Sequence, residues 1–145
     1  MTTVLDGLDA VAGANGLDLG YTAWEEISSD RAARFQSALR GSAAGPPVAP
    51  VGLEFLPEFL VLSLTNMFLP LLVEVRGVTA GVNYGTGEVR FPARAPLGAR
   101  LRARGRVVEV SGVAGGVQTT TRVIVEAEGV PEAVCIVDAI SRWLS

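Results

Sequence analysis

A chain of 145 residues has the length of one domain and suffices to bury a core. Apolar residues make up 49% and charged residues 19%, which excludes a disordered tail. The net charge of −3 excludes a basic nucleic-acid footprint, and the absence of histidine excludes imidazole catalysis and most zinc sites.

Residues 1–16 are small and acidic, and they read as a flexible leader. They hold no basic residue, so they are not a signal peptide. Leu17 to Ile27 reads as an extended entry segment. Ser28, Ser29 and Asp30 form an N-cap cluster, and Arg31 to Leu39 then follows helical spacing. Gly41 to Gly52 is rich in Gly, Ala and Pro and predicts a loop. From Glu58 to Leu69 the chain is apolar on almost every helical side, which demands burial. Pro70 is expected to end or kink that helix.

Beyond Gly77 the period changes to two. Val78 to Asn83 and Gly87 to Phe91 predict one long strand with a bulge near Gly85. Arg100 to Val110 and Val117 to Glu128 predict a hairpin turning at Gly115-Gly116. Ala133 to Ile140 is apolar on both faces and predicts a strand covered on both sides. One antiparallel sheet wrapped around one apolar helix satisfies this order. The fold class is α+β, a hotdog arrangement, and its open edge predicts a dimer. The domain spans 17–145.

Two blocks carry a family resemblance. Phe59-Leu60-Val61-Leu62-Ser63-Leu64 resembles the Gly-Phe-Leu-Thr-Leu-Ser-Leu helix of MaoC-like dehydratases. Gly81 to Gly98, which contains Asn83-Tyr84-Gly85 and Val89-Arg90-Phe91-Pro92, resembles the corresponding stretch of the NodN-like branch. The resemblance implies an acyl substrate held as a coenzyme A or carrier-protein thioester, with no cofactor. The family's Asp-x-Asn-Pro-x-His motif is missing: Gly41 to Val48 holds no Asp, Asn or His. The resemblance therefore implies the fold, the dimer and an acyl tunnel, but not the family's usual dehydratase chemistry.

Glu58 replaces a family glycine at the start of the buried helix, where the thioester carbonyl is expected. A carboxylate there is either an acid/base group or a favourable first-turn acid. Asn83 and Tyr84 are the other catalytic candidates, or they simply set the bulge. Phe59, Leu62, Asn66 and Glu54 are candidate tunnel residues. Arg100, Arg102 and Arg104, with Arg106, share one strand face and suit the phosphates of a carrier. Glu126 and Glu128 on the neighbouring strand offer a plain charge ladder instead.

Two readings of function follow. One is a diverged cytoplasmic enzyme that dehydrates, isomerises or cyclises an acyl or polyketide chain. The other is a non-catalytic subunit that pairs with a catalytic relative. The lone Cys135 lies in an apolar run, which fits a core residue in a reducing compartment. The apolar stretch from Phe59 to Val75 is too short and polar to span a membrane, and no metal is expected.

Overall fold

A computed structural model describes residues 1–40 and 53–145 of the chain. The predicted loop over 41–52 lies outside the described residues. In chain order the elements are β1 (Thr3–Asp6), α1 (Gly7–Ala12), β2 (Asp18–Tyr21), β3 (Glu25–Glu26), α2 (Ser29–Ala38), α3 (Glu58–Ser63) and α4 (Thr65–Leu72). Then come β4 (Val73–Arg76), β5 (Ala80–Arg90), β6 (Arg100–Val113), β7 (Gly116–Ala127) and β8 (Cys135–Leu144).

One antiparallel sheet runs in the order β2-β6-β7-β8-β5, and β3 also pairs with β6. Period-two alternation gives this sheet an inner and an outer face. Leu101, Ala103 and Val107 of β6 point inward, as do Val123 and Val125 of β7 and Val137 of β8. They meet Leu60, Val61, Leu64, Phe68 and Leu72 from α3 and α4 in one core. Phe68 is fully buried, and a side chain of that size contributes about 2–3 kcal/mol by leaving water. The sheet wrapped on a central helix is the hotdog arrangement.

α2 starts as its sequence predicts: the Ser28 side chain accepts a hydrogen bond from the Arg31 amide at 3.2 Å. β6 and β7 join through Ala114-Gly115, with Gly115 at φ 75°, a left-handed turn position that favours glycine. In β5 the register shifts between Asn83 and Gly85, so the bulge lies where the sequence predicts it.

Two expectations need correction. Residues 1–16 do not form a flexible leader: β1 pairs in parallel with β4, from Thr3 opposite Val73 to Asp6 opposite Arg76. Val11 of α1 is fully buried, and Ala14 joins the main core. The few apolar residues of this segment are spent on contacts with distant parts of the chain, which local composition does not register.

The buried helix also breaks earlier than Pro70. α3 and α4 meet at Leu64, and Pro70 lies inside α4. Ser63 Oγ donates to the Leu60 carbonyl at 2.7 Å, and Thr65 Oγ1 donates to the Leu62 carbonyl at 2.8 Å. These hydroxyls compete with backbone donors for the same carbonyls, which disturbs a helix at that point.

Candidate functional site

Below α4 the inner face of the sheet is not filled by side chains. A cavity of about 320 Å³ lies between Asn66, Leu69 and Pro70 of α4, the β1–β4 pair, and the inward ends of β5 to β8. Its polar lining comes from strand phase. Asn83 stands opposite Ser141, and Gly81 opposite Trp143, across β5 and β8. Thr119 and Thr121 take the inward positions of β7 and are 5% and 6% exposed.

Hydrogen bonds set the geometry of this lining. Asn83 Nδ2 donates to Asn66 Oδ1 at 2.9 Å, which ties the bulged strand to the buried helix. Trp143 Nε1 donates to Thr119 Oγ1 at 3.0 Å. Gly81 makes room for that indole, because a Cβ at this position would stand 2.6 Å from the ring. Glu74 lines the cavity from β4. Its carboxyl is held below the usual carboxylate range, chiefly by the hydrogen bonds from Arg76 at 2.8 and 3.1 Å. It is therefore an ionised group at neutral pH.

The other sequence candidates fall elsewhere. Tyr84 does not share the face of Asn83: it is exposed, and the Arg142 guanidinium stacks 3.5 Å from its ring centre. Strand alternation sends the two neighbours to opposite faces, Asn83 with Ser141 and Tyr84 with Val82 and Arg142. Glu58 is the first residue of α3 and pairs with Arg94 at 3.2 Å, with its side chain 41% exposed. It does not line the cavity among the described residues. Phe59 is exposed beside Phe91, ring centres 6.1 Å apart, while Leu62 is half-buried against the core. Glu54 is exposed, and its backbone carbonyl accepts from the Leu97 amide at 2.9 Å. Glu58, Phe59 and Arg94 thus form a second group, at the N-terminal end of the buried helix pair.

On the outer face, Arg100 meets Glu128 at 3.4 Å and Arg102 meets Glu126 at 2.9 Å. Arg102 also stacks on Tyr21 and Trp24, 4.3 and 4.6 Å from the ring centres. Those two arginines form the charge ladder. Arg104 and Arg106 have no carboxylate within 4.0 Å among the described residues, and with Arg122 they border a shallow depression. Among the described residues no group of three acidic or thiol side chains is placed to hold a metal.

Sequence reading missed Thr119, Thr121, Ser141, Trp143 and Glu74. A signal for the threonines was present. They share the phase of Val117, Val123 and Val125, so two hydroxyls occupy positions reserved for apolar side chains.

No protein-family model matches the chain. The MaoC-like dehydratase from Rhodospirillum rubrum shares the fold, with a TM-score of 0.60 over 90% of this chain and 92% of that one, at 13% identity. The 3-hydroxyacyl-thioester dehydratase Z of Mycobacterium tuberculosis is 31% identical over 146 residues, 93% of this chain and 94% of that protein. The chain belongs to the MaoC-like dehydratase family. The HadBC complex of Mycobacterium tuberculosis, a 3R-hydroxyacyl-ACP dehydratase, also superposes, with a TM-score of 0.59 at 17% identity over 90% of this chain and 96% of that one. The helix and Asn-Tyr-Gly blocks that resemble the MaoC-like family form α3 and the bulge of β5. The family's Asp/His motif would fall on 41–48, outside the described residues. Among the described residues no helix is long and apolar enough to cross a membrane.

Proposed function

We propose that this MaoC-like protein is a diverged cytoplasmic enzyme that binds an acyl or polyketide chain, thioester-linked or released, along its buried helix. It dehydrates, isomerises or cyclises that chain without a catalytic histidine. The observation that carries the reading is the cavity between α4 and the sheet, in a chain 31% identical to a 3-hydroxyacyl-thioester dehydratase.

The two ends of the helix pair take different roles. Glu58 and Asn66 are eight residues apart, at most about 12 Å at a helical rise of 1.5 Å per residue, since the helix breaks at Leu64 between them. The reacting end of the chain sits near Glu58, and the far end enters the cavity past Asn66. Glu58 is exposed enough to exchange protons with solvent, and the Arg94 guanidinium stands 3.2 Å from its carboxylate. It serves as the acid/base group. Holding the chain in a reactive conformation supplies the rest of the rate, which needs no imidazole. Asn83 positions the chain at the cavity end, with Leu62 and Phe59 along its course. The carrier's phosphates meet Arg104, the one of the three candidate arginines without a carboxylate partner among the described residues.

Replacing Glu58 by Gln tests this directly. On the substrate that the wild type turns over, the rate is expected to fall about 100-fold or more, with the fold unchanged by circular dichroism. An unchanged rate would remove Glu58 from the chemistry.

A second reading has its own support. The chain lacks the family's Asp and His at 41–48 and has no histidine anywhere. Among the described residues β5 pairs only with β8 and its other edge is open, with Val82 and Tyr84 exposed. An open edge of 11 residues invites another strand. A second copy makes a homodimer; a catalytic relative makes a heterodimer in which this chain shapes the acyl pocket.

A further inference from the structure

Thr119 and Thr121 place hydroxyls where the rest of the inward phase of β7 is Val or Ala. Thr119 Oγ1 accepts from Trp143 Nε1, so its own proton remains to be donated. The Thr121 and Ser141 hydroxyls both line the cavity and have no hydrogen-bond partner among the described residues. Yet among those residues no buried side-chain oxygen or nitrogen shut off from solvent lacks a partner. The Thr121 hydroxyl therefore opens into the cavity. At the rim, the Asn83–Asn66 bond uses one N–H and one carbonyl, leaving the Asn66 amide N–H groups and Asn83 Oδ1 to bind something else.

Apart from Glu74, whose carboxylate is engaged by Arg76, the remaining walls are mostly apolar and include Leu5, Leu69, Val73 and Val107. This combination sets the chemistry of the occupant. A saturated chain would strip water from the Thr121 and Ser141 hydroxyls and return no hydrogen bond, which is unfavourable at each group. A strongly polar ligand would leave the apolar walls unmatched. We infer that the cavity selects an oxygenated chain, one of polyketide type that carries a ketone or hydroxyl in its distal half, over a plain hydrocarbon acyl tail. Thr121 and Ser141 bind that oxygen, and Thr119 donates to a second one when it is present. The inference rests on the chain-binding reading above and narrows its substrate class.

The test uses calorimetric binding of N-acetylcysteamine thioesters to the full chain. The probes are decanoyl thioester and its oxo derivatives, with the ketone moved through the distal half. At least one oxo derivative is expected to bind about tenfold more tightly than decanoyl, as one or two net hydrogen bonds imply. Thr121→Val keeps the side-chain shape and removes the hydroxyl. It is expected to lose most of that preference, with decanoyl bound at least as tightly as by the wild type because no hydroxyl is then desolvated without a partner. Ser141→Ala provides a second, smaller deletion at the same site. Equal affinity for all the thioesters, or a preference unchanged in both variants, would overturn the inference and leave the acyl site standing. Failure of every thioester to bind would overturn the chain-binding reading and the inference with it.

Discussion

Asp138 on β8 accepts two hydrogen bonds from Arg122 on β7, at 2.7 and 2.8 Å. This pairing holds the Asp138 carboxyl below its ordinary value. The stabilisation is therefore complete above the unfolded value of about 3.9 and fades as pH falls through the depressed folded value. Arg122 is half exposed, so solvent screens the pair and its contribution stays near 1 kcal/mol. Asp138→Asn should lose about that much in urea unfolding at pH 7, and the gap to wild type should close toward pH 3. A gap that widens in acid would show that the pair is not the source. Cys135 behaves oppositely: burial pushes its thiol up to about 11, so it is a core residue and not a nucleophile. At this scale the sequence was partly legible. Asn66 and Asn83 stood out singly, but their meeting depends on strand register, which spacing does not reveal. Tyr84 is as plausible a candidate as Asn83 in the sequence, but alternation places it on the opposite face, stacked with Arg142.

Among the elements, β5 to β7 followed from alternation and from the glycine turn, and β8 from a continuous apolar run. A half-buried antiparallel sheet writes its two faces into the sequence, and this one does so over most of β6 and β7. The short elements left no such record. β1 has four residues and α1 has six, too few for a period to emerge. Their stability comes from β4 and from burial of Val11. Deleting residues 1–13 should therefore lower unfolding free energy by at least about 2 kcal/mol, from the lost valine alone. It should shift the urea midpoint accordingly, whereas an unchanged midpoint would restore the leader reading. The break at Leu64 was hidden for another reason. Proline is the conspicuous helix breaker, but here the hydroxyls of Ser63 and Thr65, seven and five residues earlier, compete for helix carbonyls.

At the scale of the molecule, the sheet and the helix pair give one face to a cavity and the other to charge. The inner face carries the cavity, while the outer face carries the arginine row of β6. The arginine row was legible from residue phase; a tunnel beside the helix was implied only by the family resemblance. What phase cannot register is how far the helix stands from the sheet, which decides whether Thr119 and Thr121 meet side chains or open space. The proposed pairing through the edge of β5, open among the described residues, is where the two readings part: they differ in the choice of partner. Native mass measurement of the protein purified from its own host addresses that choice most directly. The account predicts a complex of two identical 15.1 kDa chains that retains an oxygenated acyl-type molecule. One copy bound to a different MaoC-like chain that carries the missing Asp and His would contradict it, making this protein the pocket-shaping half of a dehydratase.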